Sequence, residues 1–308
     1  MEMLKLKRVN PVLARHLQQT THRNRAFWLL GLYLLAVTIL TLLFGSLIFT
    51  STLVPYVATI SMSDIYQTGR MMFALSSVFL LVAASALAPI NALGALASER
   101  ERGTLDLLRL TTLRARSIVL GKLGAALVNG TLYILAPIPL LMMGYWLGGV
   151  SLLELVLTFA FLIMTMLFSL SLALFFSSLT RKTIAAVLLF YGLTFATLPL
   201  IGIIAFLFQA LPFLLEDFLP SISLPLQAFL EYGWVLLAAL HPYTAGIVSY
   251  ALWVEEGSWF FNTFTVGSSL TTYVITLPSP WIPYFAGVLL LSFLLLRSTW
   301  RRLARPAK

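Results

Sequence analysis

Cysteine is absent from the 308 residues, which excludes disulfides and thiolate metal sites while leaving the redox compartment undetermined. Charge is scarce. Asp, Glu, Lys and Arg make up 10% of the chain, against about 25% in an ordinary soluble domain. His16, His22 and His241 are too few and too scattered for a metal cluster, and the spacing of the first two does not place them on one helix face. No Walker A pattern occurs: Gly121 and Lys122 lack both the preceding Gly at the required offset and a following Ser or Thr. The chain therefore has no P-loop with which to hydrolyse ATP. Nor does any acid or base fall near the middle of the main apolar runs, where proton relays and ion sites show themselves, so a proton- or sodium-coupled carrier is disfavoured.

Apolar residues fill the space left by charge. They account for 60% of the sequence, and the mean hydropathy is +0.95. The apolar stretches run around whole helical circumferences, so the expected solvent is lipid. About 20 apolar residues cross a hydrocarbon layer, and six runs meet that length, at about 26–49, 71–96, 118–147, 152–176, 184–208 and 281–300. Trp281 and Trp300 bracket the last, as amphipathic rings do at the two interfaces. Run one is too long for a signal peptide and follows about 25 residues, so it is expected to remain. The expected fold is an all-α integral membrane protein: residues 1–25 an amphipathic N-terminal segment, 26–300 a single transmembrane domain, 301–308 a tail.

Every Lys and Arg except Arg70 lies on one side if the N-terminus is inside, including Arg181, Lys182, Arg297, Arg301 and Arg302. Asp64, Glu154, Glu216, Asp217, Glu231, Glu255 and Glu256 lie on the other. Positive charge favours the cytoplasm, so both termini are expected inside, in the cytoplasmic (inner) membrane. A net charge of +9 segregated this way points to membrane topology, with no nucleic acid among the expected partners. Arg70 would snorkel or meet an anionic lipid or cargo group. A seventh apolar stretch, 232–254, carries His241 and Pro242 at its centre. One more crossing would reverse the tail, so 209–280 is read as an outer segment, re-entrant or interfacial, with an extra pair of spans as the alternative.

The densest charge cluster, 97–117, lies between runs two and three. Glu99 and Arg102 are placed to pair at i, i+3. Gly103 suits the left-handed end of a helix, and Thr104 the cap of the next. Leu105, Leu107, Leu108 and Leu110 would face one side of a short amphipathic helix, with Asp106 and Arg109 on the other. Such a helix lies at a bilayer interface or docks on a protein partner.

This segment resembles the ABC-2-type permeases, membrane subunits of ATP-binding-cassette exporters. Their loop carries a Glu, then Gly-Thr, a leucine-rich turn, Thr-Pro-Leu and Ile-x-x-Gly-Lys; the chain matches at Glu99, Gly103, Thr104, Leu105, Leu107, Leu108, Thr111, Leu113, Ile118, Gly121 and Lys122. Thr112 stands where the family often has Pro. The segment NPVLARHL, with Asn10 as cap, Pro11 at the first helical position and Arg15 beyond, is similar to the family's N-terminal interface helix; His16 replaces a frequent acid. The resemblance implies a coupling helix, with Glu99, Glu101, Arg102, Gly103, Thr104, Leu105, Leu107, Leu108 and Lys122 transmitting the stroke of a separate nucleotide-binding ATPase subunit. It implies ATP and Mg on that partner and none on this chain, no catalytic residue here, and a homodimer or heterodimer of permease subunits among membrane lipids.

Uncharged polar residues in the spans, Asn129, Thr131 and Tyr133 and then Tyr191, Thr194 and Thr197, would line a cargo path or satisfy neighbouring helices. An uncharged lining suits a lipid-like, hydrophobic or drug-type cargo. Gly144 and Gly148 form a GxxxG that permits close helix approach, and Met142, Met143, Met164 and Met166 read as packing. Two rival functions stand beside the exporter. One is a membrane-embedded enzyme built around His241 and Tyr243; the other is a permease-like scaffold that transports nothing.

Overall fold

A computed structural model describes residues 24–53, 61–105, 114–214, 224–268 and 271–304. It is mostly helical. In chain order the elements are α1 (Asn24–Leu53), α2 (Met62–Val82), a π turn (Ala83–Leu87), α3 (Ile90–Glu101), α4 (Ala115–Leu135), α5 (Ile138–Trp146), α6 (Leu152–Leu179), α7 (Thr183–Leu214), α8 (Leu224–Ala238), α9 (Pro242–Glu256), β1 (Phe261–Ser268), β2 (Thr271–Pro278) and α10 (Trp281–Ala304). Among the described residues, five helical stretches are long and apolar enough to cross a membrane: Met62–Glu101, Ala115–Leu135, Leu152–Leu179, Thr183–Phe208 and Trp281–Ala304. The first expected run coincides with α1, within which the described residues Leu30–Leu43 form a shorter apolar helix. The chain is a multi-pass helical membrane protein by composition and helix length.

By contacts the chain divides into two units, Met1–Leu188 with Ser292–Lys308, and Leu189–Leu291. In the first, α2 packs on α1 and α5, α3 on α6, and α4 on α6. Its core holds Leu80, Leu93, Leu96, Ile118, Leu162, Met166, Leu170 and Leu174, all essentially without solvent contact. Two helix starts use the same device. Ser61 and Asp64 open α2 with a reciprocal capping box, and Ser151 and Glu154 open α6 with another. Each box satisfies amide groups that a helix start otherwise leaves unpaired.

Proline divides two of the expected spans. Pro89 follows the π turn, in which Ala88 N–H donates to Ala83 O at 2.9 Å, five residues back, so the second span bends inside its length. The third span, expected as one run over 118–147, ends its first helix at Leu135. Pro137 has no N–H to give Tyr133 O, four residues earlier. The Tyr33 hydroxyl of α1 donates to that carbonyl instead, at 3.1 Å, and the two tyrosine rings meet edge to face at 5.6 Å. Beyond the break, Gly144 on α5 lies against α2: a Cβ there would stand 2.9 Å from Gly69 O and 2.7 Å from Phe73 Cβ. Gly148, at φ 77°, ends α5. The GxxxG is thus used within the chain.

The second unit corrects the all-α expectation. β1 and β2 form an antiparallel hairpin in register from Phe261 opposite Pro278 to Ser268 opposite Thr271. Thr, Val and Ile make up most of β2 and, with Phe261 and Phe264, β-branched and aromatic residues make up most of β1; such residues fit a pleated surface better than a helix. The stretch 232–254 is broken at His241 and Pro242: its first part ends α8 and its second part makes up most of α9, which has 15 residues. At 1.5 Å per residue α9 measures about 22 Å, too short for a straight crossing of a hydrocarbon core of about 30 Å. Glu256 accepts from Thr263 N–H at 2.7 Å, Tyr232 donates to Pro278 O at 2.7 Å, and Trp281 Nε1 donates to Trp259 O at 2.7 Å. These bonds fix the hairpin to its flanking helices.

Candidate functional site

The turn after α3 takes the form that its sequence requires. Arg102 is the C-cap and Gly103 follows at φ 68°, a left-handed conformation that glycine adopts without a Cβ clash. Gly103 N–H donates to Arg100 O at 3.1 Å and Thr104 N–H to Glu99 O at 2.9 Å, closing the last turn. The Thr104 hydroxyl also donates to Glu99 O, at 3.2 Å. Glu101, Arg102, Gly103 and Thr104 are exposed, while Leu105 turns inward and is buried.

Behind this exposed corner, polar bonds tie four helices together. Lys122 on α4 reaches across to α3, donating to Ala95 O at 2.6 Å and to Glu99 Oε1 at 2.8 Å. Its side chain is 1% exposed and that of Glu99 26%. Glu99 therefore meets Lys122, where the spacing had predicted Arg102. A buried ammonium needs a counter-charge and acceptors to offset lost hydration, and both come from α3. Arg100 turns to α6, donating to Thr180 O at 2.8 Å and Ser178 O at 3.2 Å, and so occupies carbonyls at the end of that helix. Ser177 Oγ, buried on α6, accepts from Leu96 N–H and Ala97 N–H, each at 3.0 Å. Thr183, at the start of α7, donates to Glu101 Oε2 at 2.7 Å.

The corner thus has two layers. The outer one presents Glu101, Arg102, Gly103 and Thr104; the inner one, with Glu99, Lys122, Arg100 and Ser177, locks α3 to α4 and α6. Lys122 is a positioning residue inside this arrangement. Arg100, Ser177 and Thr183 were not singled out from the sequence. Arg100 was one more charge in a cluster, and Ser177 and Thr183 bond to positions about 80 residues away, a separation that local pattern does not reveal. Leu107 and Leu108, and the N-terminal Asn10, Pro11, Arg15 and His16, lie outside the described residues.

The polar residues read as a cargo path are engaged locally. The hydroxyls of Thr131, Thr194 and Thr197 each donate at 2.8 Å to the carbonyl four residues back, Leu127, Phe190 and Leu193 respectively. Tyr133 contacts Tyr33, and Tyr191 packs on Phe190 and Phe195. Asn129 is partly buried. Three of these residues lie in the first unit and three in the second. Arg70, left open above, donates from Nε to Gly149 O at 3.3 Å, with the Glu154 carboxylate nearby.

His241 caps α9: its Nδ1 accepts from Tyr243 N–H at 3.4 Å, and the two rings stack at 5.5 Å. Burial pushes the imidazole below its usual range, against a hydrogen bond with the Thr194 backbone that raises it. No group of three or more His, Cys, Asp or Glu able to hold a metal occurs among the described residues. No protein-family model matches the sequence, and no curated protein matches it.

Proposed function

We propose that the chain is the permease subunit of an ATP-driven exporter of the ABC-2 type, working with a separate nucleotide-binding subunit. In this reading it lies in the cytoplasmic membrane with both termini inside, as a homodimer or heterodimer with a second permease subunit. The observation that carries the reading is the two-layered corner at Gly103. An exposed turn, Glu101 to Thr104, is backed by bonds from α3 to α4 and α6. A surface that only solvated its charges would need no such backing.

Mechanically, closure of two ATP-loaded subunits would push on the exposed turn and on the short segment that follows it. Lys122 and Arg100 would hand that displacement to α4 and α6 as rigid elements. Bonds to charged groups are worth about 1.5–3 kcal/mol each, so the inner layer would move with the turn before it came apart. ATP and Mg would sit on the partner. The uncharged interior of the spans favours a lipid-like, hydrophobic or drug-type cargo.

The test is gentle purification of the tagged protein from its native membrane, with identification of what accompanies it. A stoichiometric subunit carrying a Walker A motif, lost on Arg102→Glu and retained on Arg70→Gln, is the expected result. A chain that purifies alone in both cases contradicts the proposal.

A further inference from the structure

Leu294, Arg297, Ser298 and Arg301 follow one another on α10 at spacings of three, one and three, so they share one helix face. With Arg302 they line an open groove of about 470 Å³. Among the described residues no carboxylate lines it. The guanidinium of Arg302 stands 5.6 Å from the centre of the Phe175 ring of α6, which steadies one wall. Arg297 and Arg301 are exposed; their Cα atoms lie about 6 Å apart along the helix axis, a span that one tetrahedral oxyanion can bridge. Along the same helix the surface becomes hydrocarbon. Leu294 is 48% exposed, Phe293 52%, and Leu290, one further turn back, 60%.

Two planar, multiply donating cations below an exposed apolar stripe match a molecule with an anionic head and an apolar tail. We propose that the groove between Arg297 and Arg301 binds the phosphate of an anionic phospholipid, whose acyl chain lies along Leu294 and Leu290. Basic residues gather at the ends of many spans through bulk electrostatics, and that general effect depends on charge alone. The groove requires more: two guanidinium forks on one face, with Ser298 between them as a further donor. Lysine in their place keeps the charge and loses the bidentate geometry.

The test is native mass spectrometry of the full-length protein released from nanodiscs of equimolar phosphatidylglycerol and phosphatidylcholine. The native protein is expected to retain phosphatidylglycerol preferentially. Arg297→Gln/Arg301→Gln should lower that preference by about tenfold, Arg297→Lys/Arg301→Lys by an intermediate factor, and Arg70→Gln should leave it unchanged. Should the double glutamine variant fail to stay monodisperse, Arg301→Gln alone, a change to one exposed side chain, gives the same reading with a smaller loss. A free-anion site is distinguished by adding inorganic phosphate: displacement of the lipid at millimolar phosphate would overturn the lipid assignment. Full preference in either the lysine or the glutamine variant would overturn the groove as the cause.

Discussion

At the scale of single residues, the clearest gain over the sequence is the partner of Glu99. Spacing within one helix offered Arg102, and resemblance marked Lys122 without saying what it touched. The bond joins residues 23 apart on two helices, so only the fold could supply it. Removing one member of a largely buried ion pair strands the other. Lys122→Ala is therefore expected to lower stability by about 3 kcal/mol, read as a fall in thermal midpoint in detergent. Lys122→Leu combined with Glu99→Leu should lose less than that single change. A double variant that loses more than Lys122→Ala would show that the pair is not what holds α3 to α4. Gly103, by contrast, was legible: a glycine after a run of helix-forming charges was read as a left-handed terminus and is found at φ 68°.

Elements were legible where their signals are periodic or compositional, and less so where proline intervened. Pro137 stood inside a run read as one span, and its effect depends on which group takes the carbonyl that it frees. Tyr33 on α1 takes it. Tyr33→Phe is expected to cost about 1–2 kcal/mol, and much less in a Pro137→Ala background, where the helix can satisfy Tyr133 O itself. Equal losses in the two backgrounds would contradict this account. The capping boxes at Ser61 and Ser151 follow a spacing that the sequence displays, Ser-x-x-Asp and Ser-x-x-Glu, and passed unread. The hairpin also had its signal, in β-branched and aromatic residues on both sides of Gly267 and Ser268, but it lay within a segment read for its membrane placement.

The break at His241 gives the element scale a pH dependence. Burial lowers the folded-state pKa of His241, so below about 6.5, the ordinary unfolded value, the unfolded chain takes up more protons than the folded one. Stability is then lost as pH falls. Between pH 8 and pH 5 the native protein should lose thermal midpoint more steeply than His241→Asn, which keeps a capping side chain and has no proton to gain. Parallel slopes would remove His241 as the cause.

For the whole molecule, hydropathy was enough to find the spans, because a run of apolar residues without charge is a property of sequence alone. Five of the six expected crossings are helices of sufficient length, and the proline breaks change their shape without moving them. Orientation follows from how the loops' charges are distributed across an electrically asymmetric membrane. The absence of cysteine makes it directly measurable. In intact cells a membrane-impermeant maleimide should label Glu255→Cys and spare Arg102→Cys until the membrane is opened; the reverse pattern would invert the proposed topology.

The most direct test of the central claim is vanadate-sensitive ATP hydrolysis by the purified complex, compared across two substitutions at Gly103. Asn tolerates a left-handed φ, whereas a β-branched side chain there costs about 1–2 kcal/mol or more. Gly103→Asn should therefore keep most of the activity, and Gly103→Val should lose about tenfold through a misplaced turn. Hydrolysis indifferent to Gly103→Val, or a chain that brings no ATPase with it, would contradict the account.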